Sequence, residues 1–149
     1  KLGVSSKGLV DIMFGELNTP AAKSHRRGQA RIKEGVWLGT RGEVHAMMDL
    51  SDGIASDIRH IMEQSNVGAE IELKAIPTDY DIRYATTGGE DYELLLTVDA
   101  AHFTALAADF QAAPGTSLTA VGRITEGSTL VWTEDGTPSD IELKGFTHF

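Results

Sequence analysis

The stretch Met47-Met48-Asp49-Leu50-Ser51-Asp52-Gly53 decides how this chain is read. It closes an apolar run, Val44 to Leu50, that reads as a buried strand. It opens a run with helical spacing, in which Ile54, Ile58, Ile61 and Met62 share one face. Two carboxylates and a hydroxyl therefore sit where a strand turns into a helix. Along a strand Asp49 and Ser51 point to the same side, and Asp52 lies at the turn. Backbone N–H groups at a helix start favour anions. Closely spaced oxygen ligands suit magnesium, which keeps waters and takes one or two protein carboxylates. One reading is thus a magnesium–phosphate site. The other is a helix cap, for which Ser51 or Asp52 alone suffices. Capping leaves Asp49 unexplained, because an ionised carboxylate in a buried strand is costly without a partner.

Working outward, Asn66 to Gly68 supplies the helix stop, with Gly68 suited to a left-handed position. Ala69 to Leu73 follows as a strand, Ile71 and Leu73 alternating with Glu70, Glu72 and Lys74. The result is a strand–helix–strand unit whose strand direction the sequence does not fix. On the N-terminal side, Leu9 to Phe14 reads as a short strand ending at Gly15. Asn18-Thr19-Pro20 reads as a turn or helix entry. Ala21 to Leu38 is weakly helical, interrupted by Gly28 and Gly35. On the C-terminal side, Pro77 to Arg83 is loop-like. Tyr92 to Val98 is the strongest strand, apolar on both faces and hence covered on both. Ala100 to Phe110 has helical spacing, with Phe103, Leu106, Ala107 and Phe110 on one side. Leu118 to Ile124 and Thr129 to Thr133 read as strands, and Glu134-Asp135-Gly136 as a turn. Mixed elements of this kind predict an α+β or α/β layered domain with helices covering a sheet.

The 149 residues fit one domain with a substantial core. The apolar fraction of 41% and charged fraction of 23% are those of a soluble globular protein. Without cysteine there is no disulfide, thiolate metal site or thiol nucleophile. That composition fits a reducing compartment, and the expected location is cytoplasmic. No apolar run reaches membrane-spanning length, and Lys1 is not followed by the apolar core of a signal peptide. The net charge of −9 lacks the basic footprint of a nucleic-acid binder. Anionic substrates would instead need local screening by metal ions. The one basic stretch, Lys23 to Lys33, reads either as a solvated face or as a phosphate-facing patch.

A second polar knot, Thr87-Gly88-Gly89-Glu90-Asp91-Tyr92-Glu93, precedes the strongest strand. Its glycines either let the backbone approach a ligand closely or merely form a tight turn. Phe146, His148 and Phe149 at the C-terminus either stack on a flat ligand or dock on the core. No clustered histidine pattern supports zinc, and there is neither a nucleophile elbow nor a P-loop. Any phosphate binding must use another architecture.

At these residues the chain resembles the thiamine-monophosphate kinase family. The resemblance runs through Met47 to Asp57, Val67 to Ile71, Gly88 to Leu95, Val121 to Ile124 and Gly145 to Phe149. That family lies in the aminoimidazole ribonucleotide synthetase-like superfamily of ATP-binding proteins. The Asp49-Leu50-Ser51-Asp52-Gly53 form of the first motif favours the thiamine-phosphate branch. The resemblance implies a three-layer α/β/α domain with a mixed sheet, α+β in class, corresponding to the superfamily's C-terminal domain. It implies magnesium-dependent transfer of the ATP γ-phosphoryl group to thiamine monophosphate. Asp49 and Asp52 would hold Mg2+, Ser51 would contact ATP, and Glu90 and Phe146 would contact the thiamine substrate. It also implies a homodimeric full-length enzyme and an N-terminal ATP-binding lobe that these residues do not include. Residues 1–24 are expected to be a poorly matched lead-in, and the isolated chain to be inactive. Other superfamily chemistry on a different small acceptor, or a non-catalytic binding module, are the competing readings.

Overall fold

The computed structural model describes residues 1–143. In chain order the elements are α1 Val4–Met13, α2 Pro20–His25, α3 Ile32–Leu38, β1 Val44–Asp49, α4 Ile54–Ser65 and β2 Gly68–Glu72. After a 3-10 turn at Leu73–Ala75 come α5 Ile82–Thr87, β3 Leu94–Val98, α6 Phe103–Ala112, β4 Gly122–Thr125, β5 Leu130–Glu134 and β6 Thr137–Pro138.

The isoleucine spacing after Gly53 makes α4 the pillar of the core. Ile54, Ala55, Ile58, Ile61 and Met62 are buried, while Arg59, His60 and Glu63 stay exposed. Each buried isoleucine contributes roughly 2 kcal/mol by leaving water. Around α4 pack Ala69 and Ile71 of β2, Leu73, Ile76, Leu95 and Trp132. β2 lies inside a mixed four-stranded sheet, β4-β2-β5-β6. It is antiparallel to β4 and parallel to β5, with Ile71 opposite Trp132. β1 and β3 form a separate antiparallel ribbon, with Asp49 opposite Leu94. The α+β class and the mixed sheet are therefore as expected, and the strand–helix–strand unit spans two sheets.

Several local expectations need correction. Leu9 to Phe14 lies largely in α1 and is not a strand. Ser5, Gly8 and Asp11, at helical spacing, form its buried face, and Leu9, Met13 and Phe14 point to solvent. The small face lets α1 meet α2 at backbone contact. A Cβ on Gly8 would lie 2.2 Å from the Ala21 carbonyl oxygen. The weakly helical stretch from Ala21 divides into the end of α2 and α3. Thr19 caps α2 by accepting from the Ala22 amide, with Pro20 in the first turn. α4 is stopped by Asn66, not Gly68: Asn66 takes the left-handed turn, at φ 53°, and Gly68 begins β2. Ile82 and Arg83, placed in a loop by composition, open α5 because Asp81 accepts from the Arg83 amide. Tyr92 has φ 50° and cannot continue a strand, so β3 starts at Leu94. Within β3 only Leu95 is fully buried. Leu118 to Val121 is irregular, and β4 begins at Gly122. The turn at Asp135-Gly136 joins β5 to β6 as read, both residues having positive φ.

Candidate functional site

The two polar knots of the sequence are one structure. The Glu90 amide donates to the Ser51 carbonyl at 2.9 Å, and the Tyr92 amide donates to the Leu50 carbonyl at 3.0 Å. The Leu50 amide returns a bond to the Glu93 carbonyl at 2.8 Å. This backbone ladder continues the β1–β3 ribbon past its last regular pair and lays the Gly88–Asp91 loop across the Ser51–Asp52 loop. Glycine is required for the approach. A Cβ on Gly89 would lie 2.3 Å from the Ser51 carbonyl oxygen. Gly53, at φ 94°, faces the carbonyls of Thr86 and Gly88, each 2.8 Å from where a Cβ would stand.

Asp49 ends β1 and is exposed. The burial argument made for it from the sequence does not hold, since water solvates its carboxylate. It opens instead onto a groove of about 330 Å³ whose walls include Met47, Tyr92, Leu94 and Ile32. Ser51 and Asp52 are half-buried, and neither side chain caps α4, whose N-cap is Gly53. Glu90 is exposed at φ 65°, with its carboxylate 3.7 Å from His25 Nδ1. Ser51, Asp52 and Glu90 thus lie on two joined loops, and Asp49 on the strand end that leads into the first of them. Phe146, His148 and Phe149 lie outside the described residues.

The residue that holds the first loop carries no role in the sequence reading. Asp57, in the first turn of α4, is 1% exposed. Its Oδ2 accepts from the Ser51 amide at 3.0 Å and the Asp52 amide at 3.1 Å. Its Oδ1 is buried and finds no hydrogen-bond partner among the described residues. Burial pushes the Asp57 carboxyl above the usual carboxylate range, and the two amides pull the other way. An acidic residue in the first turn was a visible signal for a group reaching back to the helix entrance.

Asp91 plays the matching part for the second loop. It accepts from the Gly3 amide at 2.6 Å and the Ser5 amide at 2.9 Å, closing the N-terminus of α1. Burial raises this carboxyl too, against the pull of the Ser5 and Gly3 amides. No local signal points to a pairing 86 to 88 residues apart. In the basic stretch, Arg31 is tied to Glu93 by two hydrogen bonds of 3.1 and 2.7 Å. That pairing raises the guanidinium pKa further. Lys23, Arg26, Arg27 and Lys33 are exposed.

The arrangement combines an exposed carboxylate at the end of β1, backbone held open by glycine, and loops fixed by the acidic acceptors Asp57 and Asp91. Among the described residues no group of three His, Asp or Glu side chains stands ready for a metal ion. Two oxygen donors without nitrogen or sulfur still suit magnesium, which completes its shell with water and phosphate oxygens.

The AIR synthase related protein, C-terminal domain, model matches residues 3–133. The chain belongs to that family. Thiamine-monophosphate kinase of Escherichia coli strain K12 is 36% identical over 85% of this AIR synthase-related chain and 42% of its own length. The Haemophilus influenzae thiamine-monophosphate kinase is 33% identical over 99% of the chain and 50% of its own. The chain therefore spans about half the length of the curated relatives it matches. Among solved structures, AaThiL complexed with AMPPCP and TMP superposes with a TM-score of 0.78 at 30% identity, over 100% of this chain and 49% of that one. Thiamine-monophosphate kinase from Stenotrophomonas maltophilia K279a gives 0.76 at 30% identity, over 93% and 49%. E. coli HypE, a TM-score of 0.69 at 15% identity, shares the AIR synthase-related fold.

Proposed function

We propose that this chain is the C-terminal portion of a thiamine-monophosphate kinase, which transfers the γ-phosphoryl group of ATP to thiamine monophosphate and yields thiamine diphosphate. The observation that carries the reading is the junction of the Asp49–Gly53 and Gly88–Glu90 segments into one backbone-bonded site. Similarity to thiamine-monophosphate kinases, and to a structure holding AMPPCP and TMP, supports the same reading.

In the proposed site Asp49 and Asp52 hold Mg2+, and Ser51 contacts the nucleotide. When bound, the ion neutralises charge on the transferring phosphoryl group. Glu90 and Phe146 hold the thiamine moiety of the acceptor. The acceptor phosphate is already ionised, so the chain needs no strong general base. Its task is to align donor and acceptor for direct in-line transfer, with no phosphoenzyme. The full-length enzyme is read as a cytoplasmic homodimer with a separate N-terminal ATP-binding lobe.

Two carboxylates are few for a nucleoside triphosphate and a phosphate monoester together, so the 149-residue chain alone is expected to turn over little. The test is a thiamine diphosphate assay with Mg-ATP on the full-length polypeptide that carries this chain, alongside the 149 residues alone. Product from the full-length form that drops at least tenfold on Glu90→Ala supports the assignment. Full activity of the isolated chain would refute the division of labour. Product from a different acceptor only would move the assignment elsewhere in the superfamily. Failure of the full-length form to bind Mg-nucleotide would favour a non-catalytic module.

A further inference from the structure

Residues 1–24, expected from the sequence to be a poorly matched lead-in, and His25 grip the loop that carries Glu90 in three dimensions. Three contacts make the grip. Asp91 is bound through both carboxylate oxygens to the Gly3 and Ser5 amides of α1. Gly88 abuts α1 so closely that a Cβ there would stand 1.9 Å from Ser6 Oγ. His25, at the end of α2, bonds the buried Ser5 hydroxyl through Nδ1 at 2.8 Å and faces the Glu90 carboxylate at 3.7 Å. The two helices are themselves locked by the Gly8–Ala21 approach.

The loop needs such a grip. Glu90 and Tyr92 both adopt positive φ, at 65° and 50°, with Asp91 between them. Non-glycine residues in this region are uncommon, and the conformation persists where the surroundings over-determine it. Asp91 is the side chain between the two strained residues, and its anchor is α1.

We infer that the α1–α2 hairpin is a clamp that positions Glu90 for the acceptor, with Asp91 and His25 as positioning residues that touch neither substrate. The role given to Glu90 rests on the kinase reading above; the clamp itself does not. The hairpin therefore acts first on acceptor recognition, and less on the nucleotide side, whose loop keeps its own anchor on Asp57.

The experiment uses the full-length polypeptide with Asp91→Asn and, separately, His25→Ala. His25 is partly exposed at a helix end, so its truncation preserves folding even if the first variant fails. Two readouts are taken. Amide hydrogen exchange at Glu90 and Tyr92 reports the loop, because those N–H groups bond to Ser51 and Leu50. The Ala69 amide, bonded to Thr129, is the internal reference. Steady-state kinetics separate the KM for thiamine monophosphate from the KM for Mg-ATP. The clamp predicts exchange at Glu90 and Tyr92 faster by about tenfold, with Ala69 unchanged. It predicts an acceptor KM raised by about tenfold, with a smaller rise in the nucleotide KM. Unchanged loop exchange in a folded variant overturns the clamp whatever the activity. Faster exchange with an unchanged acceptor KM overturns its link to recognition. A wild-type enzyme inactive on thiamine monophosphate refutes the kinase reading and with it the acceptor role of the clamp, while exchange still judges the grip.

Discussion

Asp57 shows how much a single carboxylate arranges. One of its oxygens holds two successive amides, and the other has no donor among the described residues. Asparagine can reproduce the useful half, presenting its oxygen to the Ser51 and Asp52 amides and its NH2 where Oδ1 now stands. Alanine cannot. Asp57→Ala is expected to lose about 1–3 kcal/mol in urea unfolding, the usual penalty for donors left without an acceptor. Asp57→Asn should lose less than half as much and keep Mg-nucleotide binding. An asparagine variant less stable than the alanine one would contradict this geometry. The sequence displayed Asp57 at the end of the stretch that carries the family resemblance, but its burial depended on α4 packing into the core. Conversely, Asp49 looked buried by its apolar neighbours and is exposed, because the β1–β3 ribbon is not inside the main sheet.

Elements differ in where their stability comes from. α4 is specified by its own periodicity and packs as that periodicity dictates. The α1–α2 hairpin is specified by contacts between small residues and by one buried acid. Asp11 accepts from Lys7 and from the Thr19 hydroxyl. The Lys7 hydrogen bond, then that of Thr19, holds the Asp11 carboxyl below its ordinary value of 3.8. A carboxyl depressed in the folded state contributes stability that is present above the ordinary value and lost as pH falls through the folded one. Acidification from about pH 5 to about pH 2 should therefore loosen α1–α2, and Asp11→Asn should flatten that part of the profile. Helical circular dichroism and the melting temperature across this range give the check. An Asp11→Asn profile as steep as that of the wild type would remove Asp11 from the account. The misreading of Leu9 to Phe14 has the same origin. A short apolar run fits a strand or a helix equally, and the choice fell to Gly8 against Ala21 and to Asp91 at the helix start.

At the scale of the whole molecule, an acidic chain is read as binding two phosphorylated substrates. Its charge of −9 makes metal screening central to that reading. Mg2+ with AMPPCP is expected to stabilise the full-length polypeptide, by about 2.7 kcal/mol at a hundredfold excess over Kd. Chelation with EDTA should abolish the shift, and Asp49→Asn with Asp52→Asn should reproduce the loss without EDTA. A thermal shift that survives chelation would count against Asp49 and Asp52 as metal ligands.

The sequence by itself determined the pieces whose signal is local and repeated. The α4 face, the alternation of β2, the Thr19-Pro20 helix entry and the Asp135-Gly136 turn all follow from residues a few positions apart. The two polar motifs and their family resemblance were legible in the same way. Only the tertiary structure decided that the backbones of the two motifs are joined, that β1–β3 stands apart from the mixed sheet, and that Asp57 and Asp91 hold the two loops. These outcomes rest on backbone bonds and buried acceptors between distant residues, with glycine allowing the close approach. Such contacts leave no periodicity in the sequence, because their energy comes from desolvated polar groups finding the one partner the fold brings within reach.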